Sequence, residues 1–328
     1  MYRYFLALAL TGALSACGEE GGNPLLSGDP VAQCPQPLTE CEPASGGGTD
    51  APDPVADQLF ASDFSDDLTA NAVTYDPATN EVRINNLPFD GDDNIYAADA
   101  AATAALSGTQ FGAYRNVAGS NQYYAVFRRT ASGYGQAMAV GGDSYLSFGY
   151  GGAAAQRLNG DGALPSANGT YVFNGEYAAV RTVIDTSVDP SQSRVQYVAG
   201  TVQLDVDIRD FDNIGAVEGV VVNRTFFDNN GVRLNELDGV NYISLATTNI
   251  NFDSWSINAG SAQVVASAPG LTGSATGDWQ GLFTGPNGEE IAGIVVVDGT
   301  GPIGVDPGTG DFIEVQTRET GGFVAARP

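Results

Sequence analysis

Apolar and polar residues alternate with a period of two from Thr201 to Ile208. Val202, Leu204, Val206 and Ile208 fall on one face, and Thr201, Gln203, Asp205 and Asp207 on the other. Successive strand side chains point to opposite faces, so this run predicts a strand with one buried and one wet side. Further β-prone runs are Gln122 to Arg128, Tyr171 to Val183, Val195 to Val198, Val217 to Val222, Ile250 to Ser256, Ala262 to Ala266, Trp279 to Phe283, Gly293 to Val297 and Phe312 to Gln316. Between them lie Asn-Gly pairs at 159, 168, 174, 230 and 287, and Asp-Gly pairs at 90, 161, 238 and 298. Such pairs tolerate the positive φ values of tight hairpin turns. Asn174-Gly175 sits inside an apparent strand, where a bulge is expected instead. The one helical signal is alanine-rich, Ala97 to Ala105, ending at Ser107-Gly108; it predicts two helical turns or a loop.

Many strands joined by short turns imply an all-β antiparallel fold, a sandwich or a barrel. The expected organisation is a smaller β-rich part over residues 55–165, interrupted at Ala163-Leu164-Pro165-Ser166, and a barrel of about eight strands over 166–328. A transmembrane barrel is disfavoured, because no aromatic girdles stand out along the strands. Residues 17–54 carry no periodic apolar pattern and are rich in Gly, Pro, Ser and acid; they read as a flexible tether.

The amino end changes the picture. Arg3 and the run Phe5-Leu6-Ala7-Leu8-Ala9-Leu10 form a charged and then apolar leader too short to span a bilayer. Leu14-Ser15-Ala16-Cys17 follows the lipobox pattern of an aliphatic residue, two small residues and the cysteine that receives lipid. Residues 1–16 are expected to be a lipoprotein signal peptide and Cys17 the lipidation site. Two or more acyl chains hold a protein on a membrane stably. Gly18 after the cysteine favours the outer membrane, and the cell surface is the expected location. Cys34 and Cys41 remain. Outside the cytoplasm a disulfide closing that short loop is favoured over two reduced thiols.

Charge excludes several function classes. The chain has 13 basic residues, all arginine, against 39 acidic ones and no histidine, a net charge of −26. Nucleic acid would be repelled. Serine–histidine and cysteine–histidine catalysis have no base, zinc sites have no imidazole, and phosphate loops lack their lysine. High acidity also discourages self-association, so a monomer is expected. Asp90-Gly91-Asp92-Asp93-Asn94 and the acids from Asp205 to Asp212 offer oxygen ligands of the kind calcium prefers, but neither has EF-hand spacing. No metal and no cofactor is therefore expected. Tyr123, Tyr124 and Tyr134 with Tyr145 to Tyr150 form an aromatic-rich region that suits an interface, or a core. Arg128-Arg129 could receive an anion or form surface ion pairs. The glycine-rich stretch Gly149 to Gly152 lacks the strand–loop–helix context of a nucleotide site.

One segment carries a family resemblance. Gly277-Asp278-Trp279-Gln280-Gly281-Leu282-Phe283 is followed by Gly285-Pro286-Asn287-Gly288-Glu289-Glu290 and Ala292-Gly293-Ile294. This resembles the closing hairpin of transferrin-binding-protein-B-like surface lipoproteins: a Gly-x-Phe strand, a Gly-Pro-Asn-x-Glu-Glu turn and a small-Gly-aliphatic strand. Tyr171 to Tyr177, Val198 to Val202, Phe211-Asp212 and Val217 to Val220 are similar to earlier strands of the same barrel. The chain has length for one lobe of handle plus barrel. The resemblance implies a structural role for this hairpin and transfers no binding residue. Glu289 and Glu290 are adjacent, so as strand residues they would face opposite ways and could not flank one bond.

The function expected is non-catalytic binding of an extracellular protein or small solute, with loops and strand faces at one end of the barrel as the contact surface. A carboxylate-dependent enzyme such as a glycoside hydrolase, or a passive envelope component, are the competing readings.

Overall fold

The computed structural model describes residues 57–65, 68–143, 151–160, 162–185, 193–208 and 215–328. The leader, the tether and all three cysteines, Cys17, Cys34 and Cys41, lie outside them. The described chain is all-β, with two antiparallel assemblies, one short α-helix and two single-turn 3-10 helices.

The first assembly is a strongly curled sheet of eight short strands. In chain order these are β1 (Gln58–Phe60), β2 (Ala72–Asp76), β3 (Glu81–Asn85), β4 (Ile95–Ala98), β5 (Gly112–Asn116), β6 (Tyr124–Arg129), β7 (Gly135–Gly141) and β8 (Gly151–Arg157). They pair as a meander from β2 to β8, with β1 added beside β8. The helix α1 (Ala100–Ala105) joins β4 to β5. Asp99 separates strand from helix: its Oδ1 accepts from the amides of Ala101 and Ala102, both at 3.1 Å, satisfying two otherwise orphaned donors. The alanine-rich run thus ends β4 at Ala97 and Ala98 and forms the helix over its last six residues.

The second assembly is a closed up-and-down barrel of eight longer strands. They are β9 (Gly169–Val183), β10 (Val195–Ile208), β11 (Gly215–Asp228), β12 (Asn241–Asn251), β13 (Ser256–Ala266), β14 (Ala275–Thr284), β15 (Glu290–Val305) and β16 (Phe312–Ala326). Closure removes every exposed edge. It is made by β16 against β9, from Thr317 opposite Val183 to Ala326 opposite Asn174. The hairpin over 277–296 is therefore β14–β15, one step before the closing strand. Within it Gly281 faces Gly293 and Trp279 faces Val295.

Three local expectations are corrected. Asn174 and Gly175 pair in regular register with both β10 and β16, so no bulge forms there. The run Ile250 to Ser256 is not one strand: Ile250 and Asn251 end β12, residues 252–255 turn, and Ser256 opens β13. Asn251 Oδ1 accepts from the amides of Asp253 (2.9 Å) and Ser254 (3.2 Å), and Trp255 takes a φ of 53°. Asp298-Gly299 likewise lies within β15 and turns nothing.

Three apolar layers hold the two assemblies. Inside the barrel, Phe173, Tyr177, Leu204, Phe226, Trp279, Phe283 and Phe323 are fully buried with aliphatic neighbours. Trp279 donates its Nε1–H to the Ala246 carbonyl at 3.1 Å, so the indole buries no unmet donor. Between barrel wall and sheet, Ala137 and Ala139 of β7 and Ala153 and Ala155 of β8 meet Ala178, Val180, Ala292, Ile294 and Val324. On the sheet's other face, Met138, Val140 and Ala154 join Val82, Ile84, Tyr96, Tyr114 and Phe127. Alternate residues of β7 thus enter different layers, and every one of them is buried.

Arg157, at the end of β8, fastens sheet to barrel. Its Nε donates to the Phe283 carbonyl (3.0 Å) and its Nη2 to the carbonyls of Ser254 (3.1 Å) and Trp255 (3.0 Å). Its Nη1 pairs with Asp57 at 2.6 Å.

Candidate functional site

A large open groove lies in the curled sheet. The end of β2, the start of β5 and the end of β6 converge there with α1, enclosing a groove of about 720 Å³. That volume falls within the range of small-molecule sites, about 300–1,000 Å³. Tyr75, Tyr114 and Phe127 form an aromatic wall. Tyr75 and Phe127 stack tilted with centroids 4.8 Å apart, and Tyr114 meets Phe127 edge-on at 6.2 Å. The hydroxyls of Tyr75 and Tyr114 both donate to Asn80 Oδ1, at 3.1 and 3.0 Å, which fixes the wall to the β2–β3 turn. Burial, reinforced by Tyr75, pushes the Tyr114 hydroxyl up to about 12, so it stays a neutral donor.

Two arginines complete the groove, and they differ. Arg128 is neutralised: its Nη1 lies 2.5 Å from Glu176 Oε2 of β9. Glu176 also accepts the Gln110 amide at 2.6 Å, tying the groove's rim to the barrel. Arg129 has no carboxylate within ion-pair distance among the described residues. Its guanidinium sits 5.2 Å above the Tyr75 ring and donates to Gln136 Oε1 through Nε (3.0 Å) and Nη2 (2.9 Å). Not one described residue lining the groove is acidic, in a chain with 39 acids. The groove therefore offers the edge of a largely buried aromatic cluster, hydroxyl and amide groups from Thr109, Gln110 and Thr130, and one guanidinium with no carboxylate partner among the described residues.

A second, smaller opening lies at the end of the barrel beside Thr300 to Pro302. It leads to a buried polar layer of Arg181, Arg224, Asn241, Thr317 and Glu319.

Of the residues singled out in the sequence, Arg128 forms the ion pair and Arg129 faces the groove. Tyr123 and Tyr124 belong to the core. Tyr123 donates to the Pro88 carbonyl (3.1 Å), and Tyr124 meets Tyr197 edge-on at 6.2 Å. Tyr145 to Tyr150 and Asp210 to Asp212 lie outside the described residues. Glu289 and Glu290 do not act together: Glu289 laces the turn by accepting from Asn287 N (2.9 Å) and Nδ2 (2.7 Å), while Glu290 accepts from Ser132 Oγ (2.8 Å). Asp90 is buried and accepts from the Tyr96 hydroxyl at 3.0 Å. Among the described residues no three His, Cys, Asp or Glu side chains converge as a metal site, and no helix is long and apolar enough to cross a membrane. The aromatic wall was not foreseen, because Tyr75, Tyr114 and Phe127 come from three strands far apart in the chain. The only linear signal was Arg129, a cation in an acidic chain.

Solved structures with a similar course of chain exist. They include Transferrin Binding Protein B. A double mutant of that vaccine antigen from Haemophilus parasuis Hp5 is 14% identical, with 79% of this chain and 45% of that chain covered and a TM-score of 0.35. This chain thus spans about half the length of that Transferrin Binding Protein B. A mutant of the protein from Actinobacillus pleuropneumoniae H49 is 12% identical, with 80% and 96% covered and a TM-score of 0.29. A structure described as a surface lipoprotein is 13% identical, with 78% and 96% covered and a TM-score of 0.32. No family model matches the chain, and no curated protein matches it. The barrel and the groove stand on the strand pairings and contacts given above.

Proposed function

We propose that this protein is a membrane-tethered binding protein that takes a small anionic aromatic or planar solute into the groove of its N-terminal sheet and performs no chemistry on it. One observation carries the reading. The groove combines an aromatic wall with a guanidinium that no carboxylate of the described residues neutralises, and its described lining holds no acid, in a chain of net charge −26. A planar carboxylate would pair with Arg129 and lie against its guanidinium, which already rests on the Tyr75 ring, replacing water at a cation that is already oriented. In this reading residues 1–16 are removed, Cys17 carries lipid, and residues 17–54 hold the folded parts, 55–165 and 166–328, off the outer membrane at the cell surface. The protein acts as a monomer.

The test is titration with a panel of aromatic and planar carboxylic acids, read by saturation-transfer NMR, with product analysis on the same samples. Binding of at least one acid to the natural protein, its loss in Arg129→Glu and unchanged ligand after incubation support the proposal. Equal binding by both proteins, or turnover of the ligand, contradicts it.

A further inference from the structure

The barrel interior holds more positive than negative charge at one level. Arg181 of β9 and Arg224 of β11 both point inward, each at least nine-tenths buried. Their guanidinium carbons lie 5.5 and 5.0 Å from the centroid of one ring, Phe226. Glu319 is the buried carboxylate facing them. One oxygen takes Arg224 Nη2 and the other takes the Tyr177 hydroxyl at 2.7 Å. Arg181 has no ion-pair partner among the described residues. Its Nη1 donates to Gln196 Oε1 (3.2 Å) and the Pro302 carbonyl (2.6 Å), and its Nη2 to Thr317 Oγ1 (3.3 Å).

Two further facts point to an occupant. Arg224 Nε is buried with no acceptor, although Nη1 and Nη2 are engaged by Asn241 and Glu319. Both arginines border a cavity of about 20 Å³ that opens between Thr300 to Pro302 and the β13–β14 connection. That is room for one water-sized particle and no more. The other acid at the cavity, Glu314, is engaged at the rim: its oxygens accept from the Thr272 amide and hydroxyl and the Gly273 amide at 2.7–3.2 Å. An orphaned guanidinium donor and a surplus buried cation each cost free energy, and one small anion relieves both.

We infer that the barrel mouth is a binding site for a single monatomic anion, of the halide class, seated against Arg224 Nε and the Arg181 guanidinium. Burial, opposed by Glu319 and reinforced by Arg224, holds Arg181 at about 10, so it remains cationic at neutral pH. This site is independent of the groove.

The experiment uses bromide as probe. Crystals of the protein, soaked in sodium bromide, give an anomalous difference map at the bromine edge. A peak within hydrogen-bonding reach of Arg224 Nε and Arg181 supports the inference. No peak there, water alone, or peaks confined to the outer surface overturn it. In solution, each tenfold rise in free halide above its dissociation constant should raise the folding equilibrium constant about tenfold at fixed ionic strength. Arg181→Gln should abolish that dependence; a dependence that persists in a folded Arg181→Gln contradicts the assignment. Should that variant fail to fold, the bromide map on the natural protein decides.

Discussion

Arg224 of β11 forms an ion pair with Glu319 of β16 inside the barrel, and it reaches that position because of its neighbour Asn223. Asn223 takes a φ of 54°, and the β10–β11 register shifts there, from Thr201 opposite Val222 to Ala199 opposite Thr225. Two residues of β11 then oppose one of β10, as in a β-bulge, and the side-chain parity changes. Val217 and Val221 point inward before the bulge, Arg224 and Phe226 after it. Strict alternation would have turned Arg224 outward.

Breaking this pair from either side leaves a charge buried without its partner. Arg224→Gln or Glu319→Gln should each cost about 3–5 kcal/mol, while the joint replacement Arg224→Met with Glu319→Leu should cost much less than the two singles summed. Urea denaturation of the four proteins gives the comparison.

Gly293 of β15 faces Phe323 of β16, and a Cβ at 293 would stand 2.1 Å from Phe323 Cζ. Glycine opposite an aromatic ring is how this barrel fits large side chains into a narrow interior. Gly293→Ala should destabilise by about 1–3 kcal/mol as an overpacked core site. Adding Phe323→Leu should recover part of that loss in the same denaturation measurement.

Asp90 supplies a pH dependence. Burial raises its pKa from 3.8 to about 6, against the lowering effect of the Tyr96 hydrogen bond. The folded state therefore holds this proton more tightly than the unfolded chain does. Its contribution is greatest below about pH 4 and is lost as pH rises to about 6. Asp90→Asn should melt higher than the natural protein at pH 7, and should show a smaller change in melting temperature between pH 4 and 7. Thermal unfolding across that range checks it.

How much was legible in the sequence followed from where water lies. Thr201 to Ile208 alternates because one side of β10 lines the barrel and the other meets solvent, and its burial matches the reading residue by residue. β7 and β8 gave no such signal. Both their faces are packed, one on the barrel wall and one on the rest of the sheet, and they are built largely of Gly and Ala. The barrel could be read because most of its strands are long and several have one wet side. The inward turn of Arg224 could not, because a single bulge residue reverses the pattern. The groove was invisible for a different reason: its wall is assembled from β2, β5 and β6 by the curl of the sheet.

The lipid anchor is tested by one substitution. Cys17→Ser should move the protein from the membrane fraction to the soluble extracellular or periplasmic fraction, with loss of metabolic labelling by palmitate. Fractionation that leaves the variant as firmly membrane-bound as before would refute the assignment of Cys17.

The central claim, that the groove holds a small anionic solute, is tested most directly by native mass spectrometry of the protein released gently from its own membranes. The natural protein should carry a non-covalent adduct of a small acid, and Tyr75→Ala with Arg129→Glu should lose it while staying folded. An adduct of the same mass and occupancy on both proteins, or none on the natural protein across the panel of acids, would contradict the account.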